Sequence, residues 1–294
     1  MPWRPHVAEH PVLTELAVVV RSGLVESRHL GSLLALDADG APVLALGDPD
    51  SVVLPRSTTK PLQALACLEA GAPLSGPALA IAAGSHTGQD QHVQVVRGIL
   101  DAAGLDESAL RCPQDLPEDE PTRLRMLRAG QGPSRVRMNC SGKHAAMLLA
   151  CTANGWPVET YLDPEHPLQQ YVRAVVARET GVPVSHTAVD GCGAALFGTT
   201  VRGLAAAFRG LILASDTPAA SVASAMRTHP ELVGGPGHPN TRLMAELPGV
   251  LAKGGAEGVI GVAGPDGQAV AMKMVDGSPR ATTLVALAVL RGLG

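Results

Sequence analysis

Gly258-Val259-Ile260-Gly261-Val262, Pro265-Asp266-Gly267 and Ala269-Val270-Ala271-Met272-Lys273-Met274 read in succession as an apolar strand, a tight turn and a second apolar strand. The same pattern stands at the other end of the chain. Glu15-Leu16-Ala17-Val18-Val19-Val20 reads as a buried strand, and Leu33-Leu34-Ala35-Leu36 and Pro42-Val43-Leu44-Ala45-Leu46, parted by Asp37-Ala38-Asp39-Gly40-Ala41, read as a hairpin. Between these ends, 61–71, 91–103, 141–154, 166–179, 200–213 and 217–228 carry apolar residues at helical spacing, and a closing helix is expected at about 281–292. Strands at both termini with helices between them predict an α+β fold. The two ends meet in one antiparallel sheet, the central helices form a second lobe, and the cleft between them is the expected site. No internal repeat or linker interrupts the chain, so 1–294 is read as a single domain.

The composition narrows the function. With 294 residues and 46% hydrophobic content, the chain can bury a large core. Its formal net charge of -4 is spread without blocks of like sign, and aromatics make up 2% of residues, which argues against a nucleic-acid partner and for a small polar ligand. No apolar run approaches the ~18 residues of a membrane span, and Met1-Pro2-Trp3-Arg4-Pro5-His6 carries no apolar segment behind its arginine; the expectation is a cytoplasmic protein without membrane attachment. Cys67, Cys112, Cys140, Cys151 and Cys192 are odd in number and scattered, which is no disulfide framework.

Three motifs carry chemistry. In Arg56-Ser57-Thr58-Thr59-Lys60-Pro61, Ser57 and Lys60 are spaced i, i+3 at the start of an apolar helical run, which puts a hydroxyl and an amine on one face. Read alone, the same residues make an N-cap and a solvated first-turn lysine. Gly84-Ser85-His86-Thr87-Gly88 supplies a second serine, and Lys253-Gly254-Gly255 precedes the strand Gly258–Val262. Ser-x-x-Lys, a second serine and a late Lys-x-Gly follow the order seen in penicillin-recognising serine enzymes, although Ser85 lies close behind Ser57 and the Asn of their Ser-Asp-Asn element is absent. The third motif joins Asn139-Cys140-Ser141-Gly142-Lys143-His144 to Asp190-Gly191-Cys192. Cys140 and Lys143 share a helix face, and Cys192 in a Gly-flanked turn could reach them. Two thiolates and a neutral amine suit Zn²⁺ with one open position; small buried thiols and a surface lysine are the plain alternative.

Taken together, these motifs resemble the class 3, rhizobial-type L-asparaginases in order and spacing from Arg56 to Lys253, with Cys-Ser-Gly-Lys-His and Asp-Gly-Cys as the specific part. The resemblance implies a fold like that of serine β-lactamases and glutaminases, a homodimer, and hydrolysis of L-asparagine to L-aspartate and ammonia. It implies two Ser-Lys pairs, Ser57 with Lys60 and Ser85 with Lys253, and one Zn²⁺ per chain on Cys140, Lys143 and Cys192. Arg56, His86, His144 and Asp190 are then the candidates for holding the substrate's α-groups or the metal's surroundings. Residues 234–242, Gly-Gly-Pro-Gly-His-Pro-Asn-Thr-Arg, depart from the resemblance by lacking an aromatic, in a loop expected to face the pocket. Two rivals stay open: an amidohydrolase of the same fold acting on glutamine or a peptide-like amide, and a non-catalytic protein that binds zinc and an amino acid.

Overall fold

A computed structural model describes residues 13–293. The chain opens with three strands, β1 (Thr14–Arg21), β2 (Leu24–Leu36) and β3 (Pro42–Leu46), followed by a short β4 (Val52–Val53). The middle is helical: α1 (Lys60–Glu69), α2 (Gly76–Ala82), α3 (Asp90–Ala102), α4 (Glu120–Arg128), α5 (Ser141–Asn154) and α6 (Pro167–Thr180). Three short strands, β5 (Thr187–Val189), β6 (Ala195–Phe197) and β7 (Thr199–Thr200), lead to α7 (Val201–Leu213), α8 (Pro218–Thr228), α9 (Pro230–Val233) and α10 (Pro239–Glu246). The chain closes with β8 (Leu251–Gly255), β9 (Val259–Ala263), β10 (Ala269–Met274) and α11 (Thr282–Gly292).

The two ends do meet in one antiparallel sheet, ordered β1-β2-β10-β9-β8 with β3 also on β2. The joint is β2 against β10, where Leu36 pairs Ala269 and Gly31 pairs Met274. All of β9 is buried, so both faces of the sheet are covered there, and α7 and α11 both pack on it. Phe208 of α7 lies over Gly261, where any Cβ would come within 2.5 Å of the ring. Helices α1, α2, α3, α5 and α6 pack on one another as the second lobe, around the fully apolar side of α5.

The expected hairpin at 33–46 proves to be the second half of a larger unit. Strand β2 starts nine residues earlier, at Leu24, and pairs β1 through a two-residue turn at Ser22 (φ 48°) and Gly23 (φ 84°). Residues 26–29, Glu-Ser-Arg-His, are all polar at an end of the ribbon that is largely exposed, which hides the strand from an apolar count. Helix α10 falls in what reads as a Gly-Pro loop: Pro239 occupies its first turn and His238 caps it, Nδ1 accepting from the Asn240 N–H at 3.1 Å.

Candidate active site

Three lysines lie inside this fold. Lys60, Lys143 and Lys253 are among the largest fully buried side chains, at 1%, 2% and 0% exposure. An ammonium taken out of water is costly unless its donors are met, so each has to be accounted for.

Lys60 and Lys253 meet at one hydroxyl. Lys60 Nζ stands 2.9 Å from Ser85 Oγ and donates to the Gly84 carbonyl at 2.6 Å; Lys253 Nζ stands 3.0 Å from the same Oγ and 2.5 Å from the Gly254 carbonyl. Burial first, and the Lys60 charge second, push the Lys253 amine well below the ordinary lysine range. Ser85 is held between the 233–235 segment and α5: its N–H donates to Val233 O, and the neighbouring His86 N–H donates to Asn139 O. Gly84 permits that approach, since a Cβ there would meet Leu232 O at 2.7 Å.

Ser57 sits in a short 3-10 turn, Arg56–Thr59, immediately before α1. The pairing inferred from i, i+3 spacing is altered here: among the described residues no hydrogen bond joins Ser57 to Lys60, whose amine is drawn to Ser85 and two carbonyls. Ser57, Ser85 and Lys253 nonetheless line a single pocket of about 430 Å³ at the junction of β8, α1 and the loop before α10.

Arg56 adopts φ 51°, a left-handed conformation that a long side chain enters only when its surroundings impose it. The restraint is visible. Arg56 Nε donates to Asp190 Oδ1 at 2.7 Å, and the Asp190 carboxylate also accepts from Gly191 N. Burial raises the Asp190 carboxyl, but Lys143 and Arg56 outweigh it and hold it below its usual value. The pair ties the Cys192 turn to the turn that presents Ser57.

Cys140, Lys143 and Cys192 do converge, although Cys192 is distant in sequence. Lys143 Nζ donates to Cys192 Sγ at 3.1 Å. The Cys140 thiol beside it and the Lys143 charge bring Cys192 down to about 4, a thiolate, while Cys140 is pushed up to about 12 by that same sulfur and by burial. Burial opposes the charge on Lys143, but the two sulfurs outweigh it and raise the amine above its ordinary value. Among the described residues no group of three His, Cys, Asp or Glu side chains could hold a metal, so if Cys140 and Cys192 held one, a third protein ligand would be the Lys143 amine. Two sulfurs and a nitrogen fit Zn²⁺, at the cost of releasing the lysine proton. Cys67, Cys112 and Cys151 are buried thiols pushed up to about 12, mainly by burial.

Neither histidine nor either end of the Arg56–Asp190 pair lines the pocket. His86 is spent internally: Gly88 N–H donates to Nδ1, and Nε2 meets Ser141 Oγ at 2.9 Å, whose own proton goes to Val136 O. His144 Nδ1 is 2.7 Å from the Tyr161 hydroxyl, and burial followed by Lys143 lowers it to about 3. These four residues stand behind the pocket wall, and the His144 Nε2 is buried without a hydrogen-bond partner among the described residues. The sequence reading missed three that do line the pocket: Glu118, His238 and Asn240. Asn240 Oδ1 accepts from Gly254 N at 2.8 Å, and burial, Lys253 and Lys60 lower His238 to about 4. The only signal for the last two was the prolyl, glycine-rich 234–242 stretch; Glu118 sits in an acidic run that reads as solvated surface.

The profile of the L-asparaginase II family matches residues 17–294. The chain belongs to that family. This L-asparaginase II homologue is therefore a hydrolase of the asparaginase type, acting on a small-molecule amide. No curated protein matches it in sequence. Among solved structures it is similar to a β-lactamase from Mycobacterium bovis, at 17% identity and a TM-score of 0.51, over 90% of this chain and 94% of that one. It is also similar to Mglu in its native form, at 14% identity and a TM-score of 0.50, over 89% of this chain and 64% of that one. These likenesses concern the fold, which is serine β-lactamase-like with an antiparallel sheet. No described helix is long and apolar enough to cross a membrane.

Proposed function

We propose that this protein hydrolyses L-asparagine to L-aspartate and ammonia through a serine acyl-enzyme. One observation carries the mechanism: two buried amines share the Ser85 hydroxyl in the pocket that Ser57 lines. Ser57 is the nucleophile, because the strained Arg56 turn presents its hydroxyl at the N-terminal end of α1, whose dipole favours developing negative charge. Lys253, neutral in its buried position, takes the Ser85 proton, Ser85 takes one from Lys60, and Lys60 takes the Ser57 proton as Ser57 Oγ attacks the carboxamide carbon, a step that requires the Ser57 hydroxyl, not bonded to Lys60 in this structure, to turn toward that amine when substrate binds. The net movement is one proton from Ser57 to Lys253. Reversal of that relay delivers the proton to the departing nitrogen, which leaves as ammonia. Water then attacks the ester by the same route, giving L-aspartate and restoring Ser57.

Cys140, Lys143 and Cys192 would hold Zn²⁺, whose chemistry there is that of a Lewis acid able to anchor a substrate oxygen. Asn139 connects that site to the pocket: its Oδ1 accepts from Cys140 Sγ at 3.1 Å, and its own residue lines the pocket. The family resemblance further assigns a homodimer, which light scattering of the purified chain tests. Ammonia release from asparagine, from glutamine and ring opening of a chromogenic β-lactam, measured side by side, test the substrate. A preference for either of the latter, or asparagine binding without ammonia release, would replace this reading.

A further inference from the structure

Every other charged group at the pocket is cationic or neutral, and the relay needs Lys253 to be neutral. Glu118 is the one acidic side chain among the residues lining it. Its carboxylate does not serve the relay: Glu118 pulls the Lys253 amine upward, against the direction that burial and Lys60 impose. A carboxylate retained at such a place is explained by a partner that arrives with the substrate.

Its orientation is fixed by the chemistry-bearing segment. Asn139 Nδ2 donates to Glu118 Oε1 at 2.7 Å, which sets the amide with its Oδ1 toward Cys140 Sγ at 3.1 Å, since only the NH₂ end can donate to a carboxylate. The Asn139 carbonyl, in turn, lies 3.5 Å from Lys60 Nζ. One residue therefore aligns Glu118 with the Lys60–Ser85 group, and Glu118 makes no other hydrogen bond among the described residues. Its second oxygen is left for a donor, and the residue is exposed at the pocket, where a ligand can reach it.

We infer that Glu118 is a specificity-determining residue that receives a positively charged α-ammonium, restricting the pocket to free α-amino acid amides. This rests on the amidase reading above and refines its substrate class. A desamino analogue, succinamic acid, keeps the carboxamide and the carboxylate of asparagine and lacks only the ammonium. An ammonium on a carboxylate makes a charge-assisted hydrogen bond.

The test compares wild type with Glu118→Gln and Glu118→Asp on L-asparagine and succinamate. Gln keeps an acceptor for Asn139 Nδ2 and removes only the charge. Wild type should prefer asparagine in kcat/KM by about 100-fold; Glu118→Gln should lose most of that through asparagine alone, leaving succinamate within about threefold, and Glu118→Asp should recover part of it. Calorimetry with L-aspartate and succinate supplies an arm that needs no turnover: aspartate affinity should fall roughly 30-fold or more in Glu118→Gln, with succinate unchanged. Equal losses on both substrates, no loss on asparagine, or aspartate binding indifferent to the variant would overturn the assignment. Charge-dependent aspartate binding in a chain that releases no ammonia would uphold Glu118 and reject the amidase reading instead.

Discussion

Replacing Lys253 by Met should make the protein inactive and, near neutral pH, more stable. The two Nζ atoms, 2.9 Å and 3.0 Å from one oxygen, can be no farther apart than about 6 Å; at an effective dielectric of about 20, two positive charges there repel by about 3 kcal/mol. The folded chain at pH 7 either bears that repulsion or keeps Lys253 neutral, against its ordinary preference for the charged form, and the unfolded chain does neither. Met removes the penalty but takes one partner each from Ser85 Oγ, which keeps Lys60, and the Gly254 carbonyl, about 1 kcal/mol apiece, leaving a net gain of about 1 kcal/mol. In a chain of this size that is a rise of about 2 °C in Tm. The sign with pH follows from the lowered folded pKa: the wild-type penalty is full below the folded value, falls steadily across the window between the folded and unfolded values, and is gone above about 10.4. Thermal melts of both proteins from pH 7 to 10 decide it. A Lys253→Met variant less stable than wild type by the same margin at pH 7 and pH 10 would refute two charged amines competing for one hydroxyl.

Ser57→Ala should lower kcat on asparagine by at least ~10³ with the melting curve unchanged; near-wild-type turnover would move the nucleophile to Ser85. Because Lys253 must be neutral to start the relay, kcat/KM should rise with pH through an apparent pKa below the ~10.4 of free lysine, a value belonging to the coupled amines, and a flat profile from pH 6 to 10 would exclude a lysine base. Asp190→Asn removes the charge that restrains Arg56 and should cost about 1–3 kcal/mol of stability and at least tenfold in kcat, read by melting and kinetics together. Elemental analysis should find close to one zinc per chain, lost in Cys140→Ala and Cys192→Ala and kept when Cys67, Cys112 or Cys151 is replaced; a metal-free active wild type would leave only the Cys192–Lys143 ion pair.

The sequence by itself determined the longest helices, the terminal strands and their order, but not α4, α10 or the first half of β2. Apolar periodicity is local, so α5 is found at its true bounds, Ser141–Asn154, and the strands at 259–263 and 269–274 are read within a residue or two. Motif spacing also identified the residues of the Ser-Lys group, because chain order and residue type are enough to recognise a family pattern. Which side chain faces which was not legible. A spacing of i, i+3 allowed Ser57 and Lys60 to pair, but burial compels an amine to find the strongest acceptors in reach, and only the packing of Gly84 against Leu232 put Ser85 and a carbonyl there. His86 and His144 look like site residues by adjacency, yet both are buried, His86 with partners on both ring nitrogens and His144 with Tyr161 on Nδ1 and, among the described residues, no partner on Nε2. Glu118, His238 and Asn240 have no motif at all: they reach the pocket because β8 and α10 close over α1 and the segment before α5, and that closure depends on contacts more than a hundred residues apart in sequence.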